Sequence, residues 1–339
     1  MLKSGIFHLF ETLNKKEVDQ LYREAVEECV LAEELGFEGI HPAEHHFSKH
    51  YGIMPRTEIF LAYVAARTSR IKLAPQCIVS PLAEPLRLAE DCAMLDILSG
   101  GRFSFSCGAG YRKYEFEKLN FDIEENRERL REICDIVQKA WTGEKFSHEG
   151  KYYQYKDVQV VPKPLQQPHP DIWVTTANPS TIEWTIKHRH TVMATAGFSL
   201  KAFQKVLGII HDSGIKPESS TVPFFKWLYV AETDEEARAV GQPAFVKTIG
   251  AFMQSGERLV EGLLKSIQLA EGEDKMARLS GEDIGAFICG SPETIIKELK
   301  PFVKSGGNYF IGGFNIGAIP TEQVRRSMEL YAKEVMPNL

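Results

Sequence analysis

The sequence predicts an α/β chain folded as a parallel (β/α)8 TIM barrel with insertions. Three observations point there: short apolar runs alternate with longer amphipathic segments, about eight such units can be counted, and 339 residues accommodate one barrel with excursions. The chain is therefore read as one domain over residues 1–339, and an open sheet of similar strand count is the alternative topology.

Gly5 to Phe10 reads as the first strand, followed by a helix over 16–35. Its apolar positions, Val18, Leu21, Tyr22, Ala25, Val26, Cys29, Val30 and Ala32, recur at helical spacing, and Gly36 closes it. Phe37 to His41 is the second strand, and a helix follows over 58–68. Ile71 to Val79 is the third strand, with a helix over 84–98 ending at Ser99-Gly100-Gly101. Arg102 to Cys107 is the fourth, with a helix over 123–141 whose charges mark a solvated face.

From about 143 to 170 the composition turns aromatic and proline-rich, which suggests a small β excursion. The alternation resumes with strands over 171–175, 192–194 and 221–231 and helices over 180–187 and 200–212. Residues 234 to about 283 are too long for one crossover and read as a helical insertion beside the barrel mouth. A helix over 292–303, a strand over 308–314 and a helix over 321–335 complete the set.

A hydrophobic share of 43% and a charged share of 25% are those of an ordinary globular protein. A net charge of -6 disfavours nucleic acid and anionic membranes as partners and leaves a small organic molecule as the default. The six cysteines show neither a C-x-x-C pair nor zinc spacing, the N-terminus lacks a signal peptide's apolar run, and no stretch approaches the roughly 20 apolar residues of a membrane span. A cytoplasmic location is the expectation.

In a barrel the chemistry lies at the C-terminal ends of the strands. After strand two come His41, Glu44, His45, His46 and His50. Adjacent imidazoles beside a carboxylate supply a donor or base near neutral pH, so Glu44, His45 and His46 are the candidate catalytic residues, whereas His41 and His50 read as satisfying loop carbonyls. A metal site is the rival, but the sole His-x-His, His188-Arg189-His190, precedes strand six and lies at the opposite face, so no metal ligand is assigned.

After strand four, Gly108 and Gly110 let a planar ligand or phosphate approach the backbone, although Lys113 breaks the dinucleotide fingerprint and a plain tight turn explains them equally. After strand five, Asn178, Ser180 and Thr181 stand at a helix start suited to phosphate, where Ser180 and Glu183 also satisfy a capping box. Arg127 reaches either an anion or the neighbouring Glu124, Glu125 and Glu128.

Taken in order, Gly5-Ile6-Phe7, Glu44-His45-His46-Phe47, the run Ile78 to Pro85, Leu95-Asp96, Ser99 to Phe103, Asn126-Arg127, Ser180 to Trp184 and the tail Met328 to Pro337 resemble the bacterial luciferase-like flavin-dependent monooxygenases across nearly the whole chain. The resemblance implies a barrel that binds reduced FMN, forms a flavin hydroperoxide with O2 and oxidises a small organic substrate. It implies His45 as the catalytic histidine, oriented by Glu44 and His46, in a pocket that excludes water.

The resemblance further implies a phosphate turn at Asn178, Ser180 and Thr181, a phosphate-contacting Arg127, and a non-proline cis peptide at Gln76-Cys77 beneath the flavin. A separate flavin reductase and a homodimer are the implied partners. The chain departs from the luciferase subunit at Ala109, which replaces an arginine, at Ala177, which replaces an acidic residue, and at Gly108, which replaces a reactive cysteine and leaves Cys107 one position away. A deazaflavin-dependent dehydrogenase on the same barrel and a non-catalytic flavin-binding subunit are the alternatives. Apolar Phe10, Phe252 and Met253 hint at a substrate pocket.

Overall fold

The computed structural model describes residues 2–13, 16–193, 199–214, 221–254 and 286–339, with side chains omitted at 253 and 254. The strands are β1 (Lys3–His8), β2 (Gly39–Pro42), β3 (Lys72–Leu73), β4 (Ile78–Val79), β5 (Phe105–Gly108), β6 (Phe146–Glu149), β7 (Gln154–Val158), β8 (Ile172–Thr175), β9 (Thr191–Met193), β10 (Pro223–Val230), β11 (Phe287–Gly290) and β12 (Tyr309–Gly313). The helices are α1 (Val18–Glu34), α2 (Thr57–Ala65), α3 (Pro85–Leu98), α4 (Lys113–Lys118), α5 (Asn126–Thr142), α6 (Pro179–Lys187), α7 (Leu200–Asp212), α8 (Asp234–Gln254), α9 (Pro292–Lys304) and α10 (Thr321–Leu330).

All barrel ladders are parallel. One sheet runs β11-β10-β12-β1-β2-β3 and another β4-β5-β8-β9; the bridge Leu73 to Phe103 joins them on one side, and β9 lies against β10 on the other. Strand three, expected as one run over 71–79, is thus two short pieces on either side of a cis Gln76–Cys77 bond. All eight residues of β10 are buried, as expected where helices cover a sheet whose other face lines the barrel.

The interior is aromatic. Phe7 meets Phe225 and Trp227 edge-on, and His41 donates or accepts at Tyr309 Oη (3.1 Å) while stacking on Trp173. Gly5 and Gly39 are required here, since a Cβ on either would collide with the His41 ring or Tyr309. His41 is therefore a core residue inside the barrel, where the sequence placed it against loop carbonyls. His50 is exposed, beside the Thr12 hydroxyl.

Several helices start alike, with Asn178, Ser199 or Ser291 accepting from the amide three residues on, and with proline at the first turn of α6 and α9. The cap of α6 is Asn178, so Ser180 and Glu183 form no capping box. At the opposite, N-terminal face the guanidinium of Arg102 donates to the carbonyls of Ala65, Thr68, Ile71 and Ser99 and to the Thr68 hydroxyl. That clamp gives the Ser99 to Phe103 segment a structural purpose.

The excursion after α5 is an antiparallel hairpin, β6 with β7. The insertion begins as α8, and its residues 255–285 lie outside the described ones. Two elements were not expected from the sequence. One is β11, which pairs with the end of β10 (Trp227 with Phe287 through Val230 with Gly290). The other is α4, a short helix after β5.

Candidate active site

The loop leaving β2 carries Glu44, His45 and His46 on the C-terminal rim, and the pleat sends them different ways. Glu44 is buried and bridges two strands: Oε1 pairs with His46 Nε2 at 2.8 Å, and Oε2 accepts the Val79 amide at 3.0 Å. Burial alone would lower His46, but the hydrogen bond and charge of Glu44 outweigh it and raise the imidazole above its ordinary value.

His45 faces a different partner. Its Nδ1 lies 3.4 Å from Glu115 Oε1 and its Nε2 lies 3.5 Å from Tyr111 Oη. The expectation that Glu44 and His46 orient His45 is thus corrected: Glu44 serves His46, and the carboxylate beside His45 comes from α4. Burial pushes His45 down to about 4, with the Glu115 bond opposing and the Arg112 charge assisting. At neutral pH it is an uncharged imidazole, able to donate through one nitrogen and accept through the other.

Arg112 is fully buried, its guanidinium 4.3 Å above the Tyr51 ring and 3.8 Å from Glu115. Tyr51 and Tyr111 pack against His45, and Phe252 of α8 packs against both tyrosines. Sequence reasoning missed Tyr51, Tyr111, Arg112 and Glu115. A six-residue helix is too short to show periodicity, and the Lys113–Glu117 pair four apart was its main local sign.

Gln76 donates its backbone amide to the Pro42 carbonyl at the end of β2, and Cys77 sits against Gly108 of β5. The Cys77 sulfur fills the space that a side chain on Gly108 would need, and burial pushes its thiol up to about 12. Gly110, at φ +73, could not carry a Cβ without meeting Val79 and Phe116. Cys107 faces outward, its sulfur 3.3 Å from that of Cys134 on α5. The amide oxygen of Gln76 is buried without a hydrogen-bond partner among the described residues.

Asn178, Ser180 and Thr181 come together at the start of α6, with the Asn178 side-chain oxygen accepting from the Ser180 hydroxyl, the Thr181 hydroxyl and the Thr181 amide. The arginine that joins them is Arg131, which donates to both hydroxyls at 3.0 and 3.3 Å and whose buried Nε has no partner among the described residues. Arg127, one turn earlier on α5, is exposed and bonds neither to that turn nor to Glu124, Glu125 or Glu128. Among the described residues no group of three or more His, Cys, Asp or Glu is arranged to hold a metal, and no helix is long and apolar enough to cross a membrane.

A (β/α)8 barrel that gathers buried imidazoles and carboxylates at its C-terminal rim is an enzyme's architecture. The chain belongs to the luciferase-like monooxygenase family, whose model matches residues 2–309. It is accordingly an oxidoreductase, with flavin-dependent monooxygenases among its relatives. The oxygenase component of the flavin-dependent trigonelline monooxygenase of Acinetobacter baylyi is 26% identical, covering 97% of this chain and 93% of that one. Monooxygenase RslO1 of Streptomyces bottropensis superposes with a TM-score of 0.87 at 28% identity, over 99% of each chain. The oxygenating constituent of 3,6-diketocamphane monooxygenase of Pseudomonas putida, solved with FMN, shares the fold at a TM-score of 0.81 and 20% identity, over 100% of this chain and 99% of that one.

Proposed function

We propose that the chain is the oxygenase of a two-component flavin monooxygenase, taking reduced FMN from a separate reductase and using O2 to oxidise a small organic substrate. The observation that carries this reading is the loop after β5. Its Glu115, seven residues beyond Gly108 at the end of β5, holds His45 at the C-terminal rim.

The residues present fit the cofactor. The Gln76 oxygen, without a partner among the described residues, suits a ring N–H. Arg131, whose Nε has no partner among the described residues, joins Asn178, Ser180 and Thr181 to suit a phosphate at the positive end of α6, with exposed Arg127 one turn away able to swing in. The chemistry supplied by the bound cofactor is two-electron activation of O2, one oxygen atom going to the substrate and the other to water.

The protein's own part is to bind, orient and keep dry. His45 holds a proton or accepts one at a ring nitrogen inside aromatic walls, Glu44 and His46 knit strand two to strand three, and Tyr51, Tyr111 and Phe252 exclude water. An exposed apolar face on α2 and α3, with Ile59, Tyr63, Met94 and Leu98 at least half exposed, supports a homodimer. The six cysteines are free, which suits a reducing cytoplasm.

The test is anaerobic titration with reduced FMN followed by rapid mixing with oxygenated buffer. Bound flavin should reoxidise more slowly than free reduced FMN, and His45→Ala should remove that protection while leaving the fold intact. Reoxidation at the free rate in the wild type, or turnover of a reduced deazaflavin instead, defeats the reading.

A further inference from the structure

His45 and four neighbouring side chains form one connected cluster. Tyr111 Oη lies 3.5 Å from His45 Nε2, and His45 Nδ1 lies 3.4 Å from Glu115 Oε1. Glu115 Oε1 lies 3.8 Å from Arg112 Nη1, and the Arg112 guanidinium stacks on the Tyr51 ring, which packs against His45 with ring centroids 5.5 Å apart. Four members are buried, and Tyr111 alone is open to solvent, at 39% exposure.

The geometry fixes where hydrogens go. A carboxylate only accepts, so His45 bonds to Glu115 only with its hydrogen on Nδ1. Nε2 is then the acceptor, and the Tyr111 hydroxyl is its donor. Glu115 does not follow the ring, because the same Oε1 takes the His46 amide at 2.9 Å and faces the Arg112 cation. A carboxylate held by backbone and guanidinium imposes an orientation on the imidazole.

We infer, resting on the reading of His45 above, that Glu115 is a positioning residue fixing the Nδ1–H tautomer of His45, and that Tyr111 occupies Nε2 until a reacting group displaces it. That group meets a lone pair. Its O–H or N–H bond breaks as Nε2–H forms, leaving negative charge on the reactant and an imidazolium whose charge faces Glu115. Arg112 keeps Glu115 in place on the side away from the reactant.

Nitrogen-15 NMR of histidine-labelled, flavin-free protein reads the tautomer directly, with His45 assigned by its loss in His45→Gln. At pH 7 the wild type should show a protonated Nδ1 and an unprotonated Nε2. Glu115→Ala should shift the tautomer ratio about tenfold or more toward Nε2–H, the scale of one lost hydrogen bond to a charged group. Tyr111→Phe should move the Nε2 resonance without changing the tautomer.

A wild-type spectrum with Nε2–H, or an unchanged ratio in Glu115→Ala, overturns the inference; the wild-type spectrum decides even where the variant does not fold. Nδ1–H in the wild type with full flavin protection in His45→Ala would leave the positioning intact and remove the proposed function. Lost protection in His45→Ala with the wrong tautomer would do the reverse.

Discussion

The sulfur of Cys77 lies where any side chain on Gly108 would have to stand, and the two strands are locked in that register by Ile78 pairing with Cys107 and Val79 with Gly108. Neither strand can slide to make room. Gly108→Ala should therefore destabilise the protein by about 1–3 kcal/mol, the usual cost of overpacking, and weaken flavin binding. In a Cys77→Ala background the same substitution should cost less than half as much, as chemical denaturation of the four proteins would reveal. Equal costs in both backgrounds would mean that the contact is not limiting.

Arg131, rather than Arg127, is the arginine already bonded to the turn at the start of α6. Arg131→Met should reduce the preference for FMN over riboflavin about tenfold or more, because only FMN carries the phosphate. Arg127→Met should have the smaller effect. Fluorescence titrations with both ligands give the ratio, and the opposite ranking would mean that Arg127 swings in when the phosphate binds.

Glu11 follows β1 and is buried, with Oε2 accepting from the Thr248 hydroxyl of α8 and from the Gly317 amide. Burial pushes it up to about 7 from an ordinary 4.5, and the two hydrogen bonds only partly offset this. The folded chain therefore holds a proton that the unfolded chain releases above 4.5. Its contribution to stability is complete below that pH and is lost as pH rises through about 7. Glu11→Gln keeps an acceptor but cannot ionise. Its melting temperature relative to the wild type should climb between pH 5 and 8, and a constant difference would count against the buried acid.

Arg102 holds four carbonyls and a hydroxyl at the face of the barrel away from the candidate site. Lysine cannot reproduce that fork of donors, and several buried carbonyls would lose their partners. Arg102→Lys should cost on the order of 2–4 kcal/mol in urea denaturation while FMN affinity stays within about twofold of the wild type. A large affinity loss in a folded variant would show that the clamp reaches the far rim.

Much of this arrangement was legible in the sequence because it is local. Helix α1 announced itself through spacing and Gly36, the barrel through alternation, and the cis bond at Gln76–Cys77 through the family resemblance. What escaped is tertiary. Nothing near His45 in sequence says that its carboxylate partner stands seventy residues away on a six-residue helix, while Glu44, one residue before it, turns to His46 and Val79. Arg131 escaped for a related reason: α5 presents Arg127 and Arg131 one turn apart, and only the position of α6 decides which one touches Ser180. Strand β11 was hidden because four residues, Phe287 to Gly290, carry too little pattern to stand out beside a long polar segment.

The pairing of β11 with the last residues of β10 has a corollary for folding. The chain leaves the barrel at Val230 and is stitched back beside that same residue at Gly290, where Asp234 accepts from Ser291 and Thr294 to tie off the neck. Because the two ends of the intervening stretch are fastened together, its length enters folding only through a logarithmic closure entropy. A change in the length of that stretch should therefore cost the folded scaffold little, since the neck at Val230 and Gly290 stays tied whatever lies between.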